Sequence, residues 1–231
     1  MDKIIGIIGA MDEEINLLLR GMENKCTEVK CGIPFYSGTF GDRSVVVCKS
    51  GVGKVNAAVT TQVLIDTFKA SQVLFTGVAG ALHPELNIGG IVISSECMQH
   101  DMDVTPLGFA RGIIPYQEVS SFPADPELVR LAQKACRELQ VQYMTGKVLS
   151  GDQFIASQET VTRLREEFDG VCAEMEGAAV AQACYMNSTP FVIIRSMSDK
   201  ADGSAHVNFT EFTVEASKHS HAILEHMLPY V

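Results

Sequence analysis

The stretch Ile4-Ile5-Gly6-Ile7-Ile8 decides the fold, because it is a continuous run of apolar, mostly β-branched residues. A strand with this pattern is buried on both faces, as in a parallel sheet covered by helices on each side. The run leads into Asp12-Glu13-Glu14, three acids suited to the first turn of a helix, and Leu17-Leu18-Leu19 supply an apolar face for that helix. The opening of the chain therefore predicts a strand followed by a helix.

The same alternation of apolar runs and helical segments continues along the chain. The further predicted strands are Phe35–Phe40, Ser44–Cys48, Val73–Thr76, Ile88–Ser94, Gly146–Ser150 and Phe191–Arg195. The further predicted helices begin near Lys54, Asp125, Gln158, Gly177 and Phe209. Since no repeat or linker interrupts this order, residues 1–231 are predicted to form one α/β domain. We expect a three-layer sandwich with a central mixed, mostly parallel, twisted sheet flanked by helices.

The amino-acid composition argues against several classes of binding partner and cofactor. The net charge of -10 argues against nucleic acid or an anionic membrane surface. The first apolar run is too short to span a bilayer and carries no signal-cleavage pattern. Seven cysteines without a CxxC pair predict free thiols in a reducing cytoplasm. The six histidines lack metal-binding spacing, so we expect neither a metal nor a cofactor.

Polar or glycine-rich residues recur where the predicted strands end, which is where α/β sheets bind ligands. These segments are Met11–Glu14, Gly51–Gly53, Gly77–Gly80, Asp152–Phe154, Glu174–Glu176 and Ser198–Asp199. Each has an ordinary structural explanation. Gly77–Gly80 could be a tight strand exit or a backbone-lined ligand wall, and Ser198–Asp199 could be a helix cap or a functional pair. Gly51–Gly53 lacks the spacing of a phosphate loop and favours close backbone approach and a helix start.

Two acids, Glu174 and Glu176, stand among small and apolar residues between a strand and a helix. A buried carboxylate without a partner is costly, so one of them is expected to meet a ligand. The alternative is that both lie at a solvated helix N-terminus, which the helix dipole favours.

Seven motifs carry a resemblance to a known family over essentially the whole chain. They are Gly9-Ala10-Met11-x-x-Glu14, Ser50-Gly51-x-Gly53-Lys54-Val55, Thr76-Gly77-x-Ala79-Gly80, Gln99-His100-Asp101-x-Asp103-Val104, Ser150-Gly151-Asp152-x-Phe154-Ile155, Glu174-Met175-Glu176-Gly177-Ala178 and Arg195-x-x-Ser198-Asp199-Lys200-Ala201. The chain resembles the bacterial 5'-methylthioadenosine/S-adenosylhomocysteine nucleosidases of the nucleoside phosphorylase superfamily. The resemblance implies a nucleoside phosphorylase-like fold and an adenine nucleoside substrate.

The resemblance also implies roles for individual residues. Asp199 would protonate N7 of the leaving adenine, Glu14 would hold and activate the attacking water, and Glu176 would bind the ribose hydroxyls. Such an acid must be protonated, so the pKa of Asp199 is predicted to be raised by desolvation. The substrate-binding set implied in full is Ala10, Met11, Val52, Val78, Ala79, Phe154, Ile155, Glu174, Met175, Glu176, Arg195, Ser198 and Phe209. In this set Phe154 would stack on the base, Ser198 would orient Asp199 and Arg195 would order the carboxylates near the water.

Several functions remain open on the sequence. Asp12-Glu13-Glu14 would repel a phosphate dianion at the first strand end, which favours hydrolysis over a phosphate-dependent purine nucleoside phosphorylase. Val78 stands where many family members have Ser or Thr, and this variant resembles members that also cleave 6-amino-6-deoxyfutalosine. A nucleoside-binding protein without catalysis is a further alternative, although Glu14, Glu176 and Asp199 are all present.

The resemblance further implies a homodimer in which a loop from one subunit closes the neighbour's 5'-tail pocket. The long loop-rich segment after Gln99 supplies the candidates Val104, Leu107 and Pro115. As exposed apolar residues they would otherwise lie in solvent. The alternative is a surface loop with no partner.

Overall fold

The computed structural model describes residues 3–201 and 205–231, with backbone only at 206–208 and 210. Its strands are β1 (Ile4–Gly9), β2 (Glu23–Lys30), β3 (Ile33–Phe40), β4 (Arg43–Lys49), β5 (Ala70–Ala81), β6 (Ile91–Gln99), β7 (Ser121–Pro123), β8 (Tyr143–Ser150), β9 (Gly170–Glu174) and β10 (Phe191–Asp199). Its α-helices are α1 (Asp12–Gly21), α2 (Lys54–Asp66), α3 (Pro126–Glu138), α4 (Gln158–Phe168), α5 (Gly177–Met186) and α6 (Ala205–Met227). Short 3₁₀ turns cover Thr105–Leu107 and Leu228–Tyr230.

The strands form one mixed sheet in the order β10-β6-β8-β9-β5-β1-β4-β3-β2, with β7 added beside β6. Because β10 also pairs with β5, five strands close into a ring, and β1, β4, β3 and β2 extend from it. Of the ten pairings described, five are parallel and five antiparallel. The sheet is therefore mixed, as predicted, and the parallel pairings include the longest registers. Its closure was not predicted.

The central strands are buried on both faces, as the opening run predicts. Within β1, Ile5 and Ile7 point into one apolar cluster and Ile8 into another, and all three are at most 1% exposed. The first cluster is completed by α1, α3 and α6, and the second by α2 and α5. Alternate side chains along a strand face opposite sides, so each strand needs helices on both sides to cover it. The predicted three-layer arrangement is confirmed in this sense.

Some elements differ from the expectation. The segment Gly77–Gly80 lies inside β5, which runs on to Ala81, so it is not a strand exit. Ser198 and Asp199 are the last residues of β10 and do not form a helix cap. The exposed edge strand β2 was not predicted, because Glu23–Lys30 is polar and lacks an apolar alternation. None of the described helices is both long and apolar enough to cross a membrane.

Candidate active site

A cavity of about 310 Å³ opens where β1, β5, β9 and β10 end. Its described lining residues are Ala10, Met11, Glu14, Val52, Val78, Ala79, Gly80, Gln153, Phe154, Ile155, Ala173, Glu174, Met175, Glu176, Ser198, Asp199 and Phe209. Its volume lies at the lower end of the range for small-molecule sites. Most of its wall is apolar, so the carboxyl groups at Glu14, Glu176 and Asp199 are the polar groups that define its chemistry.

Glu14 lies in the first turn of α1, shortly after β1, and is held by backbone donors. Its Oε2 accepts hydrogen bonds from the N–H groups of Ala10 at 2.6 Å and Met11 at 3.0 Å, and its Oε1 accepts one from Val78 N–H at 3.0 Å. The side chain is 4% exposed. Burial raises the pKa of Glu14, while the charge of Arg195 and these N–H groups oppose the rise. The carboxyl group is thus fixed in position by backbone N–H groups.

Gly77 explains why β5 carries a glycine at this point. A Cβ atom there would lie 2.5 Å from Glu14 Oε1 and 2.9 Å from Arg195 Nη1, closer than real contacts allow. Gly80 is needed beside Asp199 for the same reason, since a Cβ atom added to Gly80 would lie 2.8 Å from Asp199 Oδ1. The two glycines allow the strand backbone to approach both acids, and Gly80 also lines the cavity.

Glu174 forms a buried ion pair with Arg195. Its Oε2 lies 2.6 Å from Arg195 Nη2, and its carboxylate also accepts hydrogen bonds from Ser150 Oγ and the N–H groups of Glu176 and Gly177. These contacts fix the start of α5. The bonding partners of Glu174 are therefore explained by its ordering the start of α5, although the residue also lines the cavity.

Arg195 is 1% exposed and is absent from the described lining of the cavity. Its guanidinium pairs with Glu174 and stacks 3.9 Å over the ring of Phe75. Direct contact between Arg195 and the substrate stays a prediction. Burial lowers the pKa of Arg195, but the charges of Glu174, Glu14 and Glu176 outweigh burial and raise it. The arginine therefore stays charged and holds Glu174, and its predicted role in ordering the carboxylates near the water stays a prediction.

Glu176 follows β9 and presents its carboxyl group to the cavity. Its Oε1 accepts a hydrogen bond from Gly53 N–H at 2.8 Å, and the residue is 6% exposed. Burial, together with repulsion from Glu174, raises the pKa of Glu176 to about 8. In the absence of a ligand, this carboxyl group therefore holds its proton at neutral pH.

We expect Glu176→Gln to stabilise the ligand-free protein at pH 8 while reducing hydrolysis. Between the ordinary pKa of 4.5 and the folded pKa of about 8, the unfolded chain ionises Glu176 while the folded chain keeps its proton. The free energy of unfolding therefore falls as pH rises through this window, by roughly 1 kcal/mol per pH unit for this group. Glutamine cannot ionise, so the contribution disappears. The free energy of unfolding, obtained with denaturant at pH 5 and at pH 8, measures this contribution. The control is Glu159→Gln, on the exposed face of α4, which should show the same dependence on pH as wild type.

Asp199 ends β10 and is 2% exposed. Its Oδ2 accepts a hydrogen bond from Ser198 Oγ at 2.8 Å, and its Oδ1 accepts one from Ala201 N–H at 2.7 Å. Ser198 thus makes the orienting contact that the sequence predicted. The raised pKa of Asp199 stays a prediction.

Aromatic and thioether side chains form the apolar part of the cavity. The rings of Phe154 and Phe209 meet edge to face with their centroids 5.6 Å apart, and Phe154 is 49% exposed. Met175 is half-buried beside the two glutamates and also faces the cavity. These surfaces suit a flat base and an apolar tail.

All the predicted same-chain residues except Arg195 line the cavity. Gly80, Gln153 and Ala173 also line it and were not predicted as site residues, although each adjoins a strand-end segment that was. Gly53 was predicted only as a site of close backbone approach. Nothing in the sequence indicated that its N–H would meet Glu176 across 123 positions.

The residues predicted to reach a neighbouring subunit lie elsewhere. Val104, Leu107 and Pro115 are absent from the described lining of this chain's own cavity. Leu107 is 71% exposed, and the other two are half-buried. Their contact with a partner stays a prediction.

Comparison with known proteins agrees with this geometry. The profile of the phosphorylase superfamily matches residues 4–229. A 5'-methylthioadenosine/S-adenosylhomocysteine nucleosidase from Hydrogenovibrio crunogenus is 42% identical over 229 residues, covering 98% of each chain. A solved nucleosidase of the same name from Neisseria meningitidis, in complex with methylthio-immucillin-A, superposes with a TM-score of 0.96 at 38% identity, covering 99% of this chain and 100% of that chain. A futalosine hydrolase from Helicobacter pylori superposes with a TM-score of 0.95 at 33% identity, covering 99% and 98%.

The fold and the site therefore define a member of the phosphorylase superfamily. Within that superfamily, the chain belongs to the 5'-methylthioadenosine/S-adenosylhomocysteine nucleosidases, which makes it an N-glycosidic hydrolase.

Proposed function

We propose that this chain hydrolyses the N-glycosidic bond of 5'-methylthioadenosine and S-adenosylhomocysteine, releasing adenine and a 5-thioribose product. The observation that carries this proposal is the meeting of Glu14, Glu176 and Asp199 in one largely apolar cavity. The apolar wall suits adenine and a thioether tail, and the three acids match the proton donor, sugar ligand and water ligand that the reaction needs.

The first half of the reaction is departure of the base. Asp199 donates a proton to N7 of adenine, the C1'–N9 bond breaks, and its electron pair leaves with the base. The ribose becomes cationic as this happens. Glu176 binds the ribose hydroxyls, and the growing positive charge favours its ionised form. Its interaction with the sugar therefore strengthens in the transition state, where it accelerates the reaction.

The second half is capture of the ribocation by water. Glu14 accepts the proton of the water whose oxygen bonds to C1'. Its carboxyl group is held at both oxygens by N–H groups of Ala10, Met11 and Val78. A base with little freedom to reorient lowers the entropic cost of positioning the water.

The same contacts argue against a phosphorylase. Adjacent backbone N–H groups at the end of a strand are common ligands for phosphate. Here the N–H groups of Ala10 and Met11 are occupied by Glu14 Oε2. Phosphate would have to displace a buried carboxylate and then lie beside it, which electrostatic repulsion opposes.

Adenine release from 5'-methylthioadenosine, measured with and without inorganic phosphate, tests the proposal directly. We expect equal rates in both conditions and free 5-methylthioribose as the sugar product. A phosphate requirement with a sugar 1-phosphate product would favour the phosphorylase. Binding of the nucleoside without adenine release would instead indicate a binding protein that lacks catalysis.

A 6-amino-6-deoxyfutalosine nucleosidase activity is the second candidate. Its support is the similarity to the Helicobacter pylori futalosine hydrolase, together with Val78 in the cavity wall in place of a hydroxyl residue. Such a substrate differs at the 5' end, so the base and ribose contacts would be unchanged. Comparing kcat/KM for the two nucleosides with one enzyme preparation decides between them.

The proposed assembly is a homodimer in which Val104, Leu107 and Pro115 reach the partner's cavity. Its support is a concentration of exposed apolar side chains on α2, on the helix α5 that packs against α2, and in the segment after β6. They are Val55, Val59, Leu107, Tyr116, Tyr185 and Met186. Leaving these groups in water is unfavourable, and a second copy would cover them. A monomeric mass in sedimentation equilibrium at micromolar concentration would contradict this assembly.

The proposed location is the cytoplasm, without a nucleic acid or membrane partner. Its support is that all seven cysteines are free and that the net charge is -10.

A further inference from the structure

Two loops that line the cavity are tied together behind it by a closed set of bonds. The loop before α2 carries Val52 and Gly53, and the loop after β8 carries Phe154 and Ile155. Val52, Phe154 and Ile155 line the cavity, while the residues that join the loops are outside its described lining. These joining residues are Lys54, Asp101 and Asp152, which we call the loop clamp.

The loop clamp uses both nitrogen atoms of Lys54. The backbone N–H of Lys54 donates to Asp152 Oδ1 at 2.9 Å, and its ammonium donates to Asp101 Oδ1 at 2.6 Å. Asp101 Oδ2 in turn accepts from Asp152 N–H at 2.9 Å. The three residues therefore close a ring of hydrogen bonds that joins the two loops to the end of β6.

Burial and charge make the central pair of the loop clamp stronger than a surface ion pair. The side chains of Lys54 and Asp101 are each 17% exposed, so solvent screens them less than an exposed pair. Although burial raises the pKa of Asp101, hydrogen bonds from Lys54 and Asp152 outweigh burial and lower it. Lys54 also donates to Gln99 Oε1 at 3.1 Å, and Gln99 donates to Gln182 of α5 at 2.6 Å.

Two glycines allow the loops to come this close. Gly53 has φ +99°, a conformation that side chains disfavour, and a Cβ there would lie 3.3 Å from Asp152 Oδ1. At Gly151 a Cβ would lie 2.5 Å from His100 Nε2 and 3.1 Å from Asp101 Cγ. The backbone on each side of the loop clamp is therefore shaped to fit it.

The consequence for the cavity runs through the two peptide groups that meet at the Cα atom of Gly53. Gly53 N–H donates to Glu176 Oε1 at 2.8 Å, and the next N–H along the chain, that of Lys54, is the one held by Asp152. Fixing Lys54 N–H holds one of the two peptide planes that flank Gly53 and so restricts the orientation of the other, which carries Gly53 N–H. No other residue among those described is seen to donate to the Glu176 carboxyl group.

We propose that Lys54, Asp101 and Asp152 are positioning residues that hold Gly53 N–H on Glu176 and so aim its second carboxyl oxygen at the ribose hydroxyls. This inference rests on the proposed function and extends it to residues that do not touch the substrate. Release of the loop clamp leaves the charge of Glu176 beside the sugar but frees its carboxyl group to turn. Its directional hydrogen bonds to the ribose hydroxyls then weaken in the ground state and the transition state alike, while its attraction to the growing positive charge is kept. A uniform loss of this kind raises KM more than it lowers kcat.

The test compares Asp101→Asn, Lys54→Met and the double variant with wild type on 5'-methylthioadenosine. We expect KM to rise about tenfold in each single variant while kcat changes by less than about threefold. Because both substitutions break the same bond, the double variant should be no worse than either single variant. Glu127→Gln removes an exposed ion pair with Arg130 and is the matched control, with unchanged KM expected.

A second readout separates positioning from a general loss of structure. It compares kcat/KM for 5'-methylthioadenosine with kcat/KM for its 2'-deoxy and 3'-deoxy analogues. We expect this ratio to fall about tenfold in Asp101→Asn, because an analogue that lacks a hydroxyl bound by Glu176 loses less binding energy when that contact weakens. A KM and a ratio both within about twofold of wild type, in folded variants, would overturn the loop-clamp role. Absence of adenine release by the wild-type protein itself would instead overturn the proposed function.

Discussion

Asp199→Asn is expected to lower kcat for adenine release by about 10²–10⁴-fold, the usual contribution of a general acid. Asparagine has no proton to give to N7, so the base would have to leave with its full negative charge. The fold should survive, because the Asn oxygen can still accept from Ala201 N–H and the Ser198 hydroxyl can rotate to accept from the amide. Single-turnover adenine release measures the chemical step, and calorimetric titration with the nucleoside measures binding.

The control for this variant is Asp42→Asn, at the exposed turn between β3 and β4, which should match wild type in both measurements. Affinity for the nucleoside should stay within a few fold in Asp199→Asn, since the base still meets the same apolar surface. Near-normal turnover by this variant would exclude Asp199 as the acid. A loss of binding equal to the loss of turnover would make it a binding group.

The parts of the fold that the sequence predicts are those set by local pattern. The run at Ile4–Ile8 needed cover on both faces, and Ile5 and Ile8 do enter clusters on opposite sides of the sheet. The helix at Gln158–Phe168 has the predicted bounds, because polar residues flank a repeat of apolar ones. The ring closure through β10 and β5 could not be predicted, because strand order depends on packing between distant segments and no local pattern reports it.

The residues of the site also fall into two groups, those that the sequence indicates and those that only the fold reveals. Residues with an unusual type for their position, such as Glu176 or Asp199, stand out in the sequence because a buried acid requires a reason. Their supporting partners do not. Ser150 ends β8, Gly53 precedes α2 and Arg195 lies within β10, and only the fold shows which carboxylate each one meets.

The electrostatics of the cavity follow from the presence of three buried glutamates beside one arginine. Glu14, Glu174 and Glu176 are all buried, and the arginine that faces them, Arg195, makes its ion pair with Glu174. The two remaining glutamates border the cavity with raised pKa values, and burial is the first cause of each. A carboxylate in a buried site of this kind interacts more strongly with the sugar as the sugar becomes cationic. Stabilisation of the ribocation therefore grows during the reaction and is small in the ground state.

Glu14→Gln should show the second large effect, a fall in kcat of about 10²–10⁴-fold with substrate binding retained. Glutamine cannot accept the proton of the attacking water. In addition, its amide nitrogen must face one of the donors that now meet carboxylate oxygens, most simply Val78 N–H, which costs about 1–3 kcal/mol of stability. Turnover and thermal unfolding should therefore both be measured, with the kinetics taken well below the midpoint of unfolding.

Two further variants make this prediction specific. Glu13→Gln changes the exposed neighbour in the same helical turn and should leave kcat unchanged. Glu14→Asp keeps an ionisable group but withdraws it by one methylene, so it should lose turnover although it can still accept a proton. Because burial raises the pKa of Glu14, wild-type kcat/KM should fall with decreasing pH at values above 4.5, as the base becomes protonated. The part of that limb set by Glu14 should vanish in Glu14→Gln, since the residual rate no longer depends on this group, while ionisation of Glu176 still contributes. A limb that persists unchanged in the glutamine variant would assign the base to another residue.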